Sequence, residues 1–204
     1  PNALYSRLIV NGKELNPLYN EPLRHDTALD IRHGQYYRSS IYSVNDTMVS
    51  LDIERFASFD EPHLLCEKII LKSDKDIKIE FEAGIDIEVW DINGPHFKTE
   101  EKKIQDDKLI VFCKTLQNNL PLAVILSLEV MQSDGFTVKY IENDSFLGKV
   151  FSLSLSPQKP FIINKYISIV HSESCAKSKA YDISDYAKKQ GYLALSDASK
   201  RVWQ

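Results

Sequence analysis

Apolar and polar residues alternate with a period of two through most of the chain, which is typical of antiparallel β-strands with one buried face. In the clearest run, Ile77, Ile79 and Phe81 are separated by charged residues. The same alternation recurs in four further segments, 49–53, 85–89, 136–140 and 151–155. Turn-forming pairs separate the runs: Asn11-Gly12, Asn45-Asp46, Asp106-Asp107, Asn118-Asn119 and Asp134-Gly135. We therefore predict about ten or eleven strands between about residues 4 and 171.

One segment departs from alternation. Residues 120–131 are apolar at almost every position, which predicts a central strand covered on both faces. Pro121 near its start fits this position, because proline is tolerated at the first residues of a strand. Many strands without intervening helices indicate an all-β fold, and we predict a large antiparallel two-sheet sandwich rather than a barrel.

The spacing becomes helical after residue 180, and the helix is predicted to begin with Ser184 or Asp185 as its N-cap. Gly191 would then lie in the helix interior and weaken it by about 1 kcal/mol. No stop signal follows Trp203, so we expect the helix to continue past the last residue. Three apolar residues share one stripe of this helix: Tyr192, Leu195 and Val202.

Composition narrows the classes of function. The chain has 204 residues, of which 43% are hydrophobic, enough for a packed core. No run approaches the length of about eighteen apolar residues needed for a membrane span. A net charge of -4 disfavours binding to nucleic acid. Three widely spaced cysteines suit free thiols in a reducing compartment, so we expect a cytoplasmic protein.

The chain shows no arrangement of residues typical of a catalytic or metal site. It lacks a Gly-x-Ser-x-Gly turn, and its five histidines have no metal-ligand spacing among themselves or with the cysteines. Asp86 and Glu88 alternate with apolar residues, which predicts a solvated strand face rather than an acid–base pair. We therefore predict no catalytic residue, no metal and no cofactor.

The loop after residue 89 is the best candidate for binding. Trp90 stands beside Asp91, Asn93 and His96, and an aromatic face next to such polar groups suits a pyranose ring. Alternatively, Trp90 anchors the loop to the sandwich and Asn93-Gly94-Pro95 forms the turn. In a third interpretation the loop faces another domain.

Arg55 and His63 are weaker candidates. Arg55 is expected either in a surface pair with Glu54 or another carboxylate, or as a fixed anchor between domains. His63 ends a short turn that is expected to face another domain if one exists.

Several of these residues lie in motifs whose order and spacing match a known family. Together they resemble the amino-terminal domain of glycoside hydrolase family 65. The motifs are Leu29-Asp-Ile-Arg-His-Gly34 with Tyr37-Arg38, Glu54-Arg-Phe-Ala-Ser58, Pro62-His63, Gly84-Ile-Asp86, His96-Phe97 and Ser199-Lys-Arg-Val-Trp203.

The resemblance implies a role within a larger enzyme. Family 65 consists mainly of phosphorylases that split α-linked glucose disaccharides such as maltose, trehalose, kojibiose or nigerose with inorganic phosphate and inversion, and their general acid lies on a helical barrel. Residues 1–175 would then form the β-sandwich, a supersandwich, and residues 176–204 would begin a helical linker to an (α/α)6 barrel. The chain itself would be inactive, phosphate would be a co-substrate of the parent enzyme, and a homodimer is expected.

The alternative is a free-standing carbohydrate-binding sandwich module. The two interpretations differ in the surface that they leave exposed. If the chain packs against a barrel, we expect residues 91–97 and the apolar stripe of the helix to be exposed in the isolated chain.

Overall fold

The computed structural model describes residues 1–132, 135–157, 159–172 and 175–203, without the side chain of Asp91. Within these residues, fifteen strands precede two helices, and twelve of the strands have five or more residues. The elements are β1 (Ser6–Val10), β2 (Lys13–Glu14), β3 (Arg24–Asp30), β4 (Gln35–Val44), β5 (Thr47–Ala57), β6 (Leu64–Ser73), β7 (Ile77–Asp86), β8 (Trp90–Asp91), β9 (Gly94–Pro95), β10 (Phe97–Gln105), β11 (Lys108–Thr115), β12 (Pro121–Val130), β13 (Phe136–Glu142), β14 (Phe146–Leu155), β15 (Phe161–His171), α1 (Ala176–Gln190) and α2 (Tyr192–Trp203).

Two antiparallel sheets form the sandwich. The smaller sheet has the strand order β13-β14-β7-β1-β2, and the larger has the order β10-β11-β12-β15-β6-β5-β4-β3. Strands β8 and β9 pair with each other and form a separate two-stranded sheet. The predicted all-β, two-sheet antiparallel sandwich is therefore confirmed.

The residue types in the turns determine the geometry of the local hairpins. Three predicted turns have both residues at positive φ, as the type I′ turn of a two-residue hairpin requires. They are Asn11-Gly12, Asn45-Asp46 and Asp106-Asp107. Asn119 also has a positive φ, of 54°. Of the remaining predicted turn, Asp134 lies outside the described residues.

The main core lies between the two sheets. Its inward-facing residues come from both sheets, and three phenylalanine rings, Phe136, Phe151 and Phe161, lie 5.9 Å apart in each pairing. Strand β12 runs between β11 and β15, and its residues 123–128 are buried. The prediction of a central strand covered on both faces is confirmed.

A second core explains why β12 is covered on both faces. The two helices pack against the other side of the larger sheet, where Tyr166 and Ile125 meet Ala180 and Tyr192. No helix in the described part of the chain is long and apolar enough to cross a membrane.

The single helix predicted from Ser184 was wrong. Helix α1 begins at Ala176, and Gly191, with φ 77° and ψ 160°, ends it instead of lying in a helix interior. Ser184 is buried within α1, where its hydroxyl lies 2.8 Å from that of Ser127 on β12. Asp185 likewise lies inside α1 and not at its start. Contact with the sheet extends the helix towards the amino terminus, beyond the point that local spacing indicates.

Most of the predicted stripe is covered. Tyr192 and Leu195 are buried against the larger sheet, and only Val202 is exposed. The Tyr192 ring meets that of Phe56 edge-on, with 5.5 Å between centroids. The expectation of an exposed helical stripe was therefore wrong for two of its three residues.

Candidate functional site

Residues from two of the motifs meet, at one end of the larger sheet, with the residue that directly follows a third. We call Gly34, Phe59, Ser199 and Trp203 the motif cluster. The rings of Phe59 and Trp203 lie 4.6 Å apart between centroids, and the Ser199 hydroxyl accepts the backbone N–H of Phe59 at 3.3 Å. Gly34 has φ 63°, and the Trp203 indole occupies the space that a side chain at Gly34 would need. The end of α2 is thereby held on two turns of the sandwich.

The turn before β6 fixes His63 against α1. The Glu61 carboxylate accepts the backbone N–H of His63 at 3.1 Å and lies 2.8 Å from its ring nitrogen Nδ1. The other ring nitrogen, Nε2, lies 3.3 Å from Nζ of Lys179. The Ser58 hydroxyl accepts the N–H of Glu61 at 3.0 Å and closes the turn. Both nitrogens of His63 are thus engaged within the domain.

Arg55 belongs to a row of charged side chains that crosses three adjacent strands. We call Arg55, Glu67 and Lys165 the charged row. Arg55 donates to Glu67 Oε1 from Nε at 2.9 Å, while Lys165 Nζ lies 3.2 Å from Glu67 Oε2. Lys165 also donates to the Tyr5 carbonyl and the Ser6 hydroxyl, each at 3.0 Å.

Two of the three members of the charged row lie out of reach of a substrate. Glu67 and Lys165 are fully buried, and burial lowers the pKa of Lys165 while the nearby Glu67 carboxylate raises it. Arg55 pairs with a carboxylate other than Glu54, as one predicted alternative allowed, but the pair does not lie on the surface, because its partner Glu67 is buried. Glu54 lies 3.8 Å from Lys68 instead. The row therefore ties β5, β6 and β15 to the start of β1.

Trp90 lies on an exposed two-residue hairpin. Trp90 pairs with Pro95 and Asp91 with Gly94, so the turn consists of Ile92 and Asn93. The predicted Asn93-Gly94-Pro95 turn is therefore wrong, because Gly94 and Pro95 form β9.

The Trp90 ring does not anchor this hairpin. Its side chain is 70% exposed, and Asn93 and His96 are exposed as well. The His96 carbonyl accepts the N–H of Leu116 at 2.9 Å, which ties the hairpin to the end of β11. The side chain of Asp91, also predicted at this site, lies outside the described part of the structure.

A cleft of about 510 Å³ runs along the hairpin. We call it the hairpin cleft, and its walls include Glu88, Trp90, Phe97 and Asp144. An exposed indole beside acidic side chains is suited to stacking on a sugar, but neither acid on these walls is one that the sequence predicted for the site.

The six predicted site residues do not form one site. Arg55 and His63 belong to β5 and the start of β6, whereas the hairpin precedes β10 at the edge of the larger sheet. Strands β11, β12 and β15 separate β10 from β6, which at about 4.8 Å per strand amounts to roughly 19 Å. The structure therefore divides the predicted residues into two groups.

Sequence reasoning missed a second cleft of about 510 Å³, which lies on the outer face of the smaller sheet. We call it the sheet cleft. The rings of Tyr5 and Phe146 meet edge-on in it with centroids 4.9 Å apart. Arg7 donates to Glu82 at 3.3 Å, and burial together with Glu82 raises the pKa of Tyr5 to about 12. Asp86 and Glu88 complete its acidic side.

Two glycines make this cleft possible. Gly84 on β7 and Gly148 on β14 lie directly opposite each other, and the Phe146 ring occupies the space above both. An isolated glycine in a strand is a known signal for close approach of another group. Both glycines are visible in the sequence, but the sequence does not show that β7 pairs with β14.

The acidic residues near the clefts differ in their environment. Asp86 ends β7 and accepts the backbone N–H of Glu88 at 3.1 Å, and Glu88 is exposed beyond the strand. Among the residues that the structure describes, no three His, Cys, Asp or Glu side chains come together as a metal site.

Comparisons with known proteins agree with the sequence motifs. The family described as glycosyl hydrolase family 65, N-terminal domain, matches residues 1–204. A nigerose phosphorylase from Lachnoclostridium phytofermentans is 27% identical over 227 residues, which cover the whole chain and 30% of that protein. A 1,2-alpha-glucosylglycerol phosphorylase from Bacillus selenitireducens is 26% identical over 204 residues, again the whole chain and 26% of that protein.

A solved structure shows the same fold. A protein described as a kojibiose phosphorylase from the human microbiome superposes with a TM-score of 0.85 at 19% identity, over 97% of this chain and 27% of that protein. The chain therefore spans between a quarter and a third of the length of these relatives.

Proposed function

Because the chain belongs to the N-terminal domain family of glycosyl hydrolase family 65, we propose that it is the non-catalytic sandwich of an α-glucoside phosphorylase. The whole-chain family match carries this proposal, and the names of the two curated relatives support the phosphorylase activity. The parent enzyme would split an α-linked glucose disaccharide with inorganic phosphate and inversion to β-glucose 1-phosphate. Phosphate is then its co-substrate, and no cofactor is required.

Catalysis is assigned to the rest of the parent protein. An inverting enzyme needs an acid that protonates the leaving oxygen, on the opposite side of the sugar ring from the attacking group. In the sheet cleft, Glu82 is held by Arg7, and Asp86 is held by the backbone of Glu88. These contacts support a binding or structural role for the two carboxylates rather than proton transfer.

We propose that one end of the sandwich packs on an (α/α)6 barrel. Large apolar side chains are exposed at this end of the larger sheet, from the motif cluster across to the hairpin before β10. We call them the apolar rim: Ile31, Phe59, Trp90, Ile92, Leu116 and Val202. Exposed apolar patches of this kind mark interfaces, and interfaces between domains commonly bury about 600–1,500 Å².

The motif cluster supports a fixed path for the chain into the barrel. Residues 1–175 form the proposed sandwich unit and residues 176–204 the linker, whose last turn is held by Phe59 and Gly34. Arg55 remains a candidate interdomain anchor through its exposed edge. A cytoplasmic homodimer is also proposed, since the family resemblance implies the dimer and the three cysteines are unpaired.

A second candidate function is a free-standing carbohydrate-binding module. The observation that favours it is the exposed Trp90 ring on the wall of the hairpin cleft. In that case the sugar would contact Trp90 and the neighbouring polar groups, with no barrel involved.

The first experiment measures activity. The 204-residue chain should release neither glucose nor glucose 1-phosphate from maltose, trehalose, kojibiose or nigerose with phosphate present. The full-length parent enzyme should release glucose 1-phosphate from at least one of them. Turnover by the 204-residue chain that persists after repurification and disappears in Asp86→Asn or Glu88→Gln would contradict the proposal.

The second experiment tests the apolar rim. Ile92 is 96% exposed, so Ile92→Ser should leave the unfolding of the 204-residue chain unchanged. In the full-length enzyme the same change should lower the melting temperature or the phosphorolysis rate. The matched control is Met48→Ser, an exposed apolar residue at the opposite end of the sheet, which should change neither. Equal effects of the two substitutions would argue against packing at this end.

A further inference from the structure

The sheet cleft combines an aromatic wall with polar side chains that keep hydrogen-bonding atoms available to a ligand. We propose that it binds the glucosyl unit of an α-glucoside. The choice of glucose rests on the proposed function, whereas the chemistry of a pyranose site rests on the cleft itself.

The aromatic wall is held in one orientation. The ring of Phe146 lies over the backbone of Gly84 and Gly148, where even a methyl group would collide with it. The rings of Tyr5 and Phe146 form a T-shaped pair with centroids 4.9 Å apart and an interplanar angle of 61°. Phe146 and Tyr5 both line the cleft. A flat, immobilised ring is what the C–H face of a pyranose stacks on, and little conformational entropy is lost on binding.

Polar groups around this ring match sugar hydroxyls. Asp86 Oδ1 accepts the N–H of Glu88, and in the described part of the chain its second oxygen, Oδ2, makes no hydrogen bond. The Asn143 Oδ1 atom accepts from Ser145, which leaves the Asn143 amide N–H groups as donors. Arg7 is half-exposed and adds further donors, while buried Glu82 holds it in place. Carboxylate acceptors beside amide and guanidinium donors can satisfy adjacent hydroxyls, each of which both donates and accepts.

The surroundings of the sheet cleft, and not its size, distinguish it from the neighbouring clefts. Its volume of about 510 Å³ lies in the range typical of small-molecule sites. A larger cleft of about 750 Å³ lies at the other end of the same sheet face. Its aromatic residue, Phe136, packs in the core against Phe151 and Phe161, and it is not available for stacking.

Titration of the 204-residue chain with glucose, nigerose and kojibiose tests the proposal by calorimetry and by chemical shift changes. We expect dissociation constants on the order of 1 mM, since a glucosyl unit has few atoms to contribute. Phe146→Ala should weaken binding at least tenfold and Asp86→Asn several-fold. Asp86 lies at a strand end, so its variant keeps the test valid if Phe146→Ala unfolds.

Two further variants locate the site. Glu80→Gln changes an exposed carboxylate on the same face of β7 and should bind as the unaltered chain does. Trp90→Ala removes the ring of the hairpin cleft and should also leave glucose binding unchanged. Absence of saturable binding, or binding lost in Trp90→Ala and retained in Asp86→Asn, would overturn the proposal. Glucose 1-phosphate release by the full-length enzyme is measured separately, so failure of the proposed function is distinguishable from failure of this site.

Discussion

Replacing Glu67 with Gln should destabilise the protein by about 3–5 kcal/mol, because the carboxylate is the counter-charge of a fully buried lysine. Glu67 lies 3.2 Å from Lys165 Nζ and 2.9 Å from Arg55 Nε. An amide of the same shape keeps the packing and removes the charge, so it leaves two cations facing each other. For a chain of this length, about 1 kcal/mol corresponds to about 2–4 °C in melting temperature, so the expected loss is roughly 6–20 °C.

The effect should depend on pH in a defined direction. Burial lowers the pKa of Lys165 and Glu67 opposes this, so removing the carboxylate lowers the pKa further. The unfolded chain keeps that lysine protonated up to about pH 10.4. Between the folded and unfolded pKa values the unfolded state binds more protons, and stability therefore rises with pH. The deficit of Glu67→Gln should shrink as the pH is raised from about 7 towards 10.

Urea unfolding at two pH values provides the measurement. Lys165→Met combined with Glu67→Gln should cost much less than the sum of the single changes, because the fully buried charge of Lys165 is gone and Arg55 is partly exposed to solvent. Glu54→Gln is the matched control: Glu54 and its partner Lys68 are partly exposed, so a loss below about 1 kcal/mol is expected. A loss below about 1 kcal/mol for Glu67→Gln, or a deficit that grows with pH, would refute the reasoning.

The remaining predictions concern thiols and the motif cluster. In the native protein a thiol reagent should modify the exposed Cys175 quickly and the other two cysteines slowly, because they are buried and burial raises the pKa of Cys66 to about 12. Rapid modification of all three thiols would contradict this. Gly34→Ala should destabilise the protein by about 2–3 kcal/mol, because the new methyl group collides with Trp203 and the backbone has a positive φ. Gly12 has φ 75° but open space around it, so Gly12→Ala should cost only about 1 kcal/mol. If Gly12→Ala lowers the melting temperature more than Gly34→Ala does, Trp203 does not pack against Gly34.

Local sequence determined the strands and their turns. Alternation places side chains on opposite faces whatever the rest of the chain does, and Asn-Gly or Asp-Asp turns favour positive φ locally. The same local reasoning failed for α1, because its first turns are stabilised by the sheet beneath them. Ala180 and Ser184 are buried against that sheet, yet in the sequence they carry no strong apolar stripe. The family was also evident in the sequence, because motif order and spacing survive where overall identity is low.

Only the tertiary structure decided what the motif residues contact. Gly34, Phe59 and Trp203 are far apart in the chain and meet because α2 returns to the turns of the larger sheet. The buried partner of Arg55 and the facing glycines of the sheet cleft likewise depend on which strands are neighbours. Which non-consecutive strands become neighbours depends on how much apolar surface the two sheets and two helices bury together. No local pattern of residues encodes it.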